Sequence, residues 1–305
     1  MDLGFAVPVS GAWATTTNCL EVAAMAEDLG YRSLWTFQRL LAPVEADGSH
    51  RLEPQYRSVM DPLAVLAFLA GRTVGTRLGV AVVDAPFYSP ILLSKLLTTI
   101  DHLSGGRLDV GIGLGWMREE FEAAGAPYDR RGARTEDFVN CMRAIWTDDV
   151  VDYEGAFYDV PRSRVDPKPL QRPHPPVLFG GTAVPALQRA GRMGAGWVSS
   201  SRADPTELGT AVEVVRSAAA EAGRDPADLR FVCRAVTKVR SGGERAPLVG
   251  SLDQIRDDLG LLEAAGMTEA FVDLNFDPLV SDPAADPAEG LQHARRVLEA
   301  LAPRS

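Results

Sequence analysis

A short segment near the N-terminus brings together an amide, a guanidinium and two aromatic rings. Trp35 lies at the end of a short apolar run, and Phe37, Gln38 and Arg39 follow where a structural turn would favour Gly, Asn or Asp. We expect Gln38 and Arg39 to face a cofactor ring or a substrate, with Arg39 stabilising negative charge that develops there. Trp35 and Phe37 would then form pocket walls. The alternative is a surface arginine beside a buried tryptophan.

Glycines alternate at positions 111, 113 and 115, just before Trp116. Glycines in this pattern leave one face of a strand without side chains, so that a bulky planar ligand can lie against bare backbone. We therefore expect Gly113 and Gly115 to border such a ligand and Trp116 to form a further pocket wall. Because these glycines do not open a helix, the dinucleotide-binding interpretation is rejected.

A possible anion site follows another apolar run, where Gly180, Gly181 and Thr182 lead directly into a predicted helix. Free backbone N–H groups at a helix N-terminus favour phosphate, so these residues are predicted to hold the phosphate of a cofactor tail. A Gly-Gly turn with Thr182 as the helix N-cap is the alternative, and both can hold together. Small Ala81, in a third apolar run, would let a planar ring approach the backbone.

Other kinds of chemistry find little support in the residues. The four histidines show no paired ligand spacing and no GxSxG motif occurs, so neither a metal site nor a hydrolytic triad is expected. The three cysteines are far apart and form no disulfide framework, which favours a reducing cytoplasm.

The elements that must position these residues alternate between short apolar runs and longer segments of helical period, which is typical of βα units around a parallel sheet. The predicted strands are Leu3–Val7, Ser33–Thr36, Leu78–Val83, Leu108–Ile112, Val177–Phe179, Gly196–Ser199, Phe231–Val236 and Ala270–Leu274. The predicted helices lie near 17–29, 61–73, 90–103, 132–147, 182–193, 205–222, 251–265 and 286–301.

Eight such units predict an α/β fold of the (β/α)₈ TIM-barrel type, formed as one domain over residues 1–305. The alternative, a doubly wound sheet, would carry a glycine-rich turn after its first strand, and none occurs there. Two long segments, about 37–60 and 150–176, are expected to be insertion loops, the second with a hairpin at 151–160 and an extended strap at 161–176. Inert packing of the strap on the barrel wall is the alternative to a functional role.

Net charge and composition bear on which partners and which cellular location are expected. The chain has a formal net charge of −10 and no dense Lys/Arg run, so it lacks the electrostatic footprint for nucleic acid or an anionic membrane. We find no signal-peptide pattern and no run of 18 apolar residues. A cytoplasmic protein acting on a small-molecule substrate is expected.

A series of linked motifs occurs over residues 97–197. It consists of LTTIDHLSGGR at 97–107, GIGLGW at 111–116, EEF at 119–121, RRGAR at 130–134, PHPP at 173–176, GG at 180–181, RAGR at 189–192 and GAGW at 194–197. Their order resembles the luciferase-like monooxygenase superfamily, especially its actinobacterial branch dependent on a deazaflavin, coenzyme F420.

The resemblance implies a barrel whose isoalloxazine-like ring lies at the C-terminal mouth, with its phosphate towards Gly180 and Gly181. It also implies a bulge in the third strand with a non-proline cis peptide behind the ring, which by motif position falls at Ala81–Val82. A homodimer is a further expectation from the resemblance.

Two positions depart from what the resemblance leads us to expect. Deazaflavin-dependent members often carry Asp-His after the second strand, whereas this chain has Gln38 and Arg39. Trp116 occupies a place where the sugar-phosphate dehydrogenases of the group have a glutamate. Oxidation of a sugar phosphate is therefore not expected, and the general acid or base is left unassigned.

The leading hypothesis is hydride transfer between coenzyme F420 and a small organic substrate, without a covalent protein nucleophile. A separate reductase or F420-reducing dehydrogenase would recycle the coenzyme. One alternative is a monooxygenase that uses reduced FMN supplied by a partner reductase. Another is a catalytically inactive barrel that carries a flavin or deazaflavin.

Overall fold

The strands of the chain close into a barrel with helices between them. The computed structural model describes residues 1–45, 47–49, 52–243 and 245–303. Within those ranges eight parallel strands, each paired with its neighbours in chain order, form the closed barrel. They are β1 (Asp2–Ala6), β2 (Ser33–Thr36), β3 (Arg77–Asp84), β4 (Leu108–Gly113), β5 (Val177–Gly180), β6 (Gly196–Val198), β7 (Arg230–Val236) and β8 (Glu269–Asp273). The predicted barrel is confirmed, and each predicted strand end lies within one residue of the observed end.

The helices lie between and after the strands. They are α1 (Thr16–Asp28), α2 (Pro62–Ala70), α3 (Pro90–Leu103), α4 (Arg118–Ala123), α5 (Arg131–Thr147), α6 (Val184–Met193), α7 (Leu208–Glu221), α8 (Leu252–Ala264), α9 (Pro278–Ser281) and α10 (Pro287–Leu301). Within the described ranges, no helix is both long and apolar enough to cross a membrane.

Two helices begin at residues that are typical N-caps. Asp61 caps α2 through two first-turn amides, and Ser251 caps α8 in a reciprocal capping box with Gln254. The predicted start of α7 at 205 is wrong. Asp204 instead accepts the amide and hydroxyl of Thr206 in a tight turn, which delays the helix.

The two insertions differ in structure. The 37–60 loop, of which 46, 50 and 51 lie outside the described residues, contains a single 3₁₀ turn at Pro54–Arg57. The second insertion begins with the predicted hairpin, whose strands are Val151–Glu154 and Asp159–Ser163. Its strap is fastened to α3, because Asp101 accepts the backbone amides of residues 170 and 171.

Charged side chains close the amino end of the barrel. Buried Asp109 on β4 accepts from Arg77 at the start of β3 and from Arg230 at the start of β7, and Arg230 also reaches Glu269 at the start of β8. Although burial opposes ionisation, the two guanidinium groups hold the pKa of Asp109 below its usual value. The carboxyl end of the barrel is left as the open mouth.

Candidate active site

A pocket of about 980 Å³ lies at the carboxyl ends of the strands, where α/β barrels carry their chemistry. Eleven of the twelve residues predicted for the site line it, although they come from four separate segments of the chain. These are Phe37, Gln38, Arg39, Ala81, Val82, Gly113, Gly115, Trp116, Gly180, Gly181 and Thr182.

Trp35 is the exception, and its prediction as a pocket wall is wrong. The side chain is fully buried inside the barrel, stacked on Phe271 at a centroid distance of 5.1 Å. Its Nε1 donates to Ser33 Oγ and to Glu269 at 2.7 and 2.9 Å. A Cβ on Gly79 would lie 2.4 Å from the indole, so the neighbouring strand leaves room for this large ring. Trp35 supports the pocket from below.

The third strand has an irregular end, as the resemblance implied. Its pairing register with β4 shifts between Val80 and Val83, and the Ala81–Val82 peptide is cis. Both residues of that peptide line the pocket. The predicted place of the bulge is therefore confirmed.

The alternating glycines border the pocket as expected and also make room for side chains of β3. A Cβ on Gly113 would lie 2.4 Å from a methyl group of Val82 and 2.2 Å from Asp84 Oδ1, and a Cβ on Gly180 would lie 2.9 Å from Val82. The glycines thus make room for side chains of the bulged strand as well as bordering the pocket. The prediction of bare backbone facing a ligand is corrected, because the bulge turns Val82 across these positions.

The backbone conformation at position 115 requires glycine. Its φ of +67° lies in the left-handed region, and a Cβ there would approach Phe121 to 2.7 Å. The amide of Gly115 donates to Asp84 Oδ1 at 2.9 Å. The turn that follows β4 is thereby attached to the end of β3.

Gln38 lines the pocket, and its amide makes two hydrogen bonds within the protein. Its Oε1 accepts the backbone amide of Asp84 at 2.9 Å, and its Nε2 donates to Tyr88 Oη at 2.6 Å. These bonds hold the end of β3 against the loop that follows β2. Gln38 therefore has a positioning role, and a contact of its second Nε2 hydrogen with a ligand stays a prediction.

Arg39 is paired with a carboxylate that the sequence did not single out. Its Nη1 lies 2.7 Å from Glu120 on α4, and the two side chains are 8% and 2% exposed. The guanidinium also lies 5.1 Å from the ring centroids of Tyr56 and of Trp116. Because Glu120 already balances its charge, Arg39 organises the pocket wall more than it offers a free positive charge, contrary to the expectation.

Gly180, Gly181 and Thr182 line the predicted anion end of the pocket. Gly181 has φ +119°, and its carbonyl accepts Trp197 Nε1 at 2.8 Å. The N-cap of α6 is Ala183, which makes no side-chain capping bond, so Thr182 does not cap this helix. Pro185 has no N–H, and the amides of Ala186 and Leu187 donate to the Ala183 carbonyl. Among the described residues, the amides of residues 182–184 are the ones at this edge without an acceptor.

Three arginines on the pocket rim strengthen this positive end. Arg130, Arg131 and Arg202 line the pocket, and none forms an ion pair with a described residue. They pack instead against aromatic rings, with Arg131 4.1 Å from the ring of Tyr128. In a chain of net charge −10, this concentration of positive charge favours an anionic ligand.

Arg234 on β7 is a pocket residue that the sequence analysis missed. Its Nε donates to Asp273 at 2.7 Å, and its guanidinium lies 4.2 and 4.8 Å from the rings of Phe37 and Phe276. Its Nη2 is buried and has no hydrogen-bond partner among the described residues. A charged residue within the apolar run 230–236 was the available sign in the sequence.

Asp84 is the second missed residue. It ends β3, lines the pocket and is partly buried. Burial raises its pKa to about 6, an effect that the nearby charge of Glu120 adds to, while the Gly115 amide, Arg39 and Arg131 oppose it. A carboxyl group that titrates near neutral pH in a pocket can donate or accept a proton.

The barrel, the bulged third strand and the mouth pocket define the class of luciferase-like oxidoreductases and monooxygenases. The model of the luciferase-like monooxygenase family matches residues 4–247, and the chain belongs to that family. An uncharacterized protein of Mycobacterium tuberculosis is 32% identical over 211 residues, which cover 67% of this chain and 74% of the relative.

Two further proteins show the range of cofactors among similar proteins. The FMNH(2)-dependent dimethylsulfone monooxygenase of Pseudomonas putida is 33% identical over 190 residues, covering 61% of this chain and 51% of that protein. An F420-dependent secondary alcohol dehydrogenase, solved with an F420–acetone adduct, superposes with a TM-score of 0.79 at 16% identity, covering 100% of this chain and 99% of the other. The second likeness shows the shared fold.

The pocket fits a flavin-type group by its own chemistry. Its volume is of the size that holds a cofactor, Nη2 of Arg234 offers a buried donor without a partner among the described residues, and the amides of residues 182–184 are available to a phosphate.

Proposed function

We propose that this protein is a coenzyme F420-dependent oxidoreductase acting on a small organic substrate. The observation that carries the proposal is the positive rim formed by Arg130, Arg131 and Arg202 beside the uncapped start of α6. Coenzyme F420 continues beyond its phosphate into an acidic tail, whereas FMN ends at the phosphate. Three arginines that have no carboxylate partner in the described part of the chain suit the longer anionic tail.

The protein's own residues supply binding, orientation and proton handling. The rim and the amides of residues 182–184 would hold the anionic end, and Ala81 and Val82 would support the ring. Arg234 Nη2 would donate to an acceptor on the ring or substrate. When bound, the coenzyme supplies or accepts a hydride. Phe37 and Trp116 would border the space left for the substrate.

A second enzyme is required to restore the redox state of the coenzyme after each hydride transfer. Each turnover leaves the coenzyme in the opposite redox state, so a separate F420-reducing dehydrogenase, or another F420-dependent reductase, must restore it. The substrate would be a small alcohol, carbonyl compound, imine or enone, since these exchange one hydride and one proton.

The main alternative is an FMN-dependent monooxygenase with a partner reductase, which the similarity to the Pseudomonas putida enzyme favours. A catalytically inactive carrier is the third candidate. Cofactor binding separates the first two, and turnover separates both from the carrier.

The binding test uses a tryptophan that the structure places in the pocket. Trp116 is 51% exposed and lines the pocket, whereas the other four tryptophans, Trp13, Trp35, Trp146 and Trp197, are fully buried. Purified protein is titrated separately with coenzyme F420 and with FMN while fluorescence is recorded. Trp116→Phe should lose most of the quenching, while calorimetry should still detect binding.

Micromolar binding of F420 with much weaker binding of FMN supports the proposal. Replacing Arg130 and Arg202 with Gln should weaken F420 binding about tenfold or more and leave FMN binding nearly unchanged. The reverse preference contradicts the proposal and favours the monooxygenase. Tight F420 binding without turnover on any alcohol, ketone, imine or enone favours the carrier.

A further inference from the structure

The end of β3 presents one carboxyl group to the pocket. Asp84 Oδ1 accepts the Gly115 amide at 2.9 Å, and its backbone amide donates to Gln38 Oε1 at 2.9 Å. No hydrogen bond to Oδ2 is found among the described residues, and the side chain lines the pocket two residues beyond the Ala81–Val82 peptide. The carboxyl is thus fixed at one oxygen and available at the other.

The charges around Asp84 come from each element packed against it. Arg39 approaches from the loop after β2, Glu120 from α4 and Arg131 from α5, and their charges act on Asp84 in opposite directions. Tyr88, from the segment after β3, is held by Gln38, and burial raises its pKa to about 12. Tyr88 therefore stays protonated near neutral pH, whereas the Asp84 carboxyl, with its pKa raised to about 6, titrates there.

We infer that Asp84 exchanges the proton that accompanies hydride transfer in this pocket, an inference that rests on the proposed function. When a ketone is reduced, the hydride forms a new C–H bond and the C=O π bond breaks. The electron pair moves to oxygen, which takes the proton of the Asp84 carboxyl, and the carboxylate regains a proton from water through the open mouth. In the oxidative direction the carboxylate removes the alcohol proton as the hydride leaves carbon.

A conservative variant separates this chemistry from a structural role. In Asp84→Asn the side-chain oxygen still accepts the Gly115 amide, so the turn after β4 is kept while the exchangeable proton is lost. Asp149→Asn removes the same charge from an exposed residue outside the pocket and is the matched control. If Asp84 acted only through its hydrogen bond to Gly115, Asp84→Asn would keep the wild-type activity.

The test has one arm that needs no turnover. Infrared difference spectra of the coenzyme-free protein between about pH 5 and about pH 8 should show a protonated-carboxyl band that titrates near the raised pKa of Asp84. The band should be absent in Asp84→Asn and present in Asp149→Asn. A wild-type difference spectrum identical to that of Asp84→Asn would overturn the inference.

The second arm is single-turnover reduction, followed by the coenzyme's absorbance, with the fastest ketone, enone or imine of a panel. Wild-type reduction should slow as pH rises through about 6, since the protonated acid is required. Asp84→Asn should be about 100-fold slower near pH 6, with a flattened pH profile and coenzyme affinity within about twofold of wild type. An unchanged rate and pH profile in Asp84→Asn contradicts the inference.

The two proposals fail in different ways. If coenzyme F420 does not bind wild-type protein, the proposed function is wrong, whatever the infrared titration shows. If F420 binds and wild-type protein turns over but Asp84→Asn retains the wild-type rate and pH profile, the proposed function stands and the assignment of Asp84 is wrong.

Discussion

The buried pair between Arg39 and Glu120 predicts a large loss of stability when only one partner is removed. In Glu120→Gln the guanidinium would stay buried without its carboxylate, while the new amide oxygen can still accept the Leu40 amide that Glu120 holds at 2.7 Å. Breaking a buried pair in this way costs about 3–5 kcal/mol. Cation–π contacts with Tyr56 and Trp116 offset about 0.5–2 kcal/mol, so the expected net loss is about 1–4.5 kcal/mol.

Urea unfolding followed by tryptophan fluorescence measures this loss, with the slope against urea unchanged if only native stability is affected. Exposed Glu122 on the same helix supplies the control, since Glu122→Gln should change the free energy of unfolding by less than about 0.5 kcal/mol.

The double variant Arg39→Met with Glu120→Gln tests the reason for the loss. It removes the uncompensated cation and keeps an acceptor for Leu40, so it should recover at least half of the stability lost in Glu120→Gln. A loss below about 1 kcal/mol in the single variant, or a double variant no more stable than the single one, would refute the argument that an unpaired buried charge is the cost.

Three further predictions follow from the pocket and from the barrel surface. Gly113→Ala would place a methyl group 2.4 Å from Val82 and 2.2 Å from Asp84 Oδ1. Thermal unfolding should show that the free energy of unfolding falls by about 1–3 kcal/mol, and calorimetry should show weaker coenzyme binding. Unchanged stability and binding would contradict the clash. Burial raises the pKa of Asp84 above its unfolded value, so its protonation stabilises the native state at low pH, and this contribution is lost as pH rises through about 6. As pH rises from about 5 to about 8, the free energy of unfolding of Asp84→Asn should therefore increase by about 1–2 kcal/mol relative to that of the wild type. If the two proteins differ in melting temperature by the same amount at both pH values, the pKa of the carboxyl is not perturbed. The homodimer stays a prediction, and two leucines on α3, Leu92 and Leu96, are 70% and 39% exposed and could form its interface. Light scattering should give a dimer for the wild type and the 32.8 kDa monomer for the Leu92→Glu, Leu96→Glu double variant. A monomeric wild type would contradict the prediction.

Local patterns in the sequence were enough to predict the barrel. Buried parallel strands are continuous apolar runs, and residues such as Asp61 and Ser251 mark helix starts through bonds within one turn. Asp204 shows the limit of this reasoning, because its side chain satisfies the local turn at Thr206 and α7 begins later.

The site was predicted in its location more than in its chemistry. Carboxyl ends of barrel strands converge at the mouth, so residues near these ends could be grouped from the sequence, and most of them do line the pocket. Their partners could not be predicted, since the pairing of Arg39 with Glu120 joins positions 81 residues apart through a helix that the sequence analysis did not place.

The amino-acid sequence by itself determined the order of strands and helices, the barrel, the family resemblance and the glycines that the mouth requires. These depend on local periodicity and on motifs that are contiguous in the chain. Only the tertiary structure decided that Trp35 fills the barrel interior, that Val82 and Asp84 occupy the space beside Gly113, and that Arg234 holds a buried donor without a partner. These outcomes depend on strand register and on a bulge, which set the direction of each side chain and the distance between residues far apart in the chain.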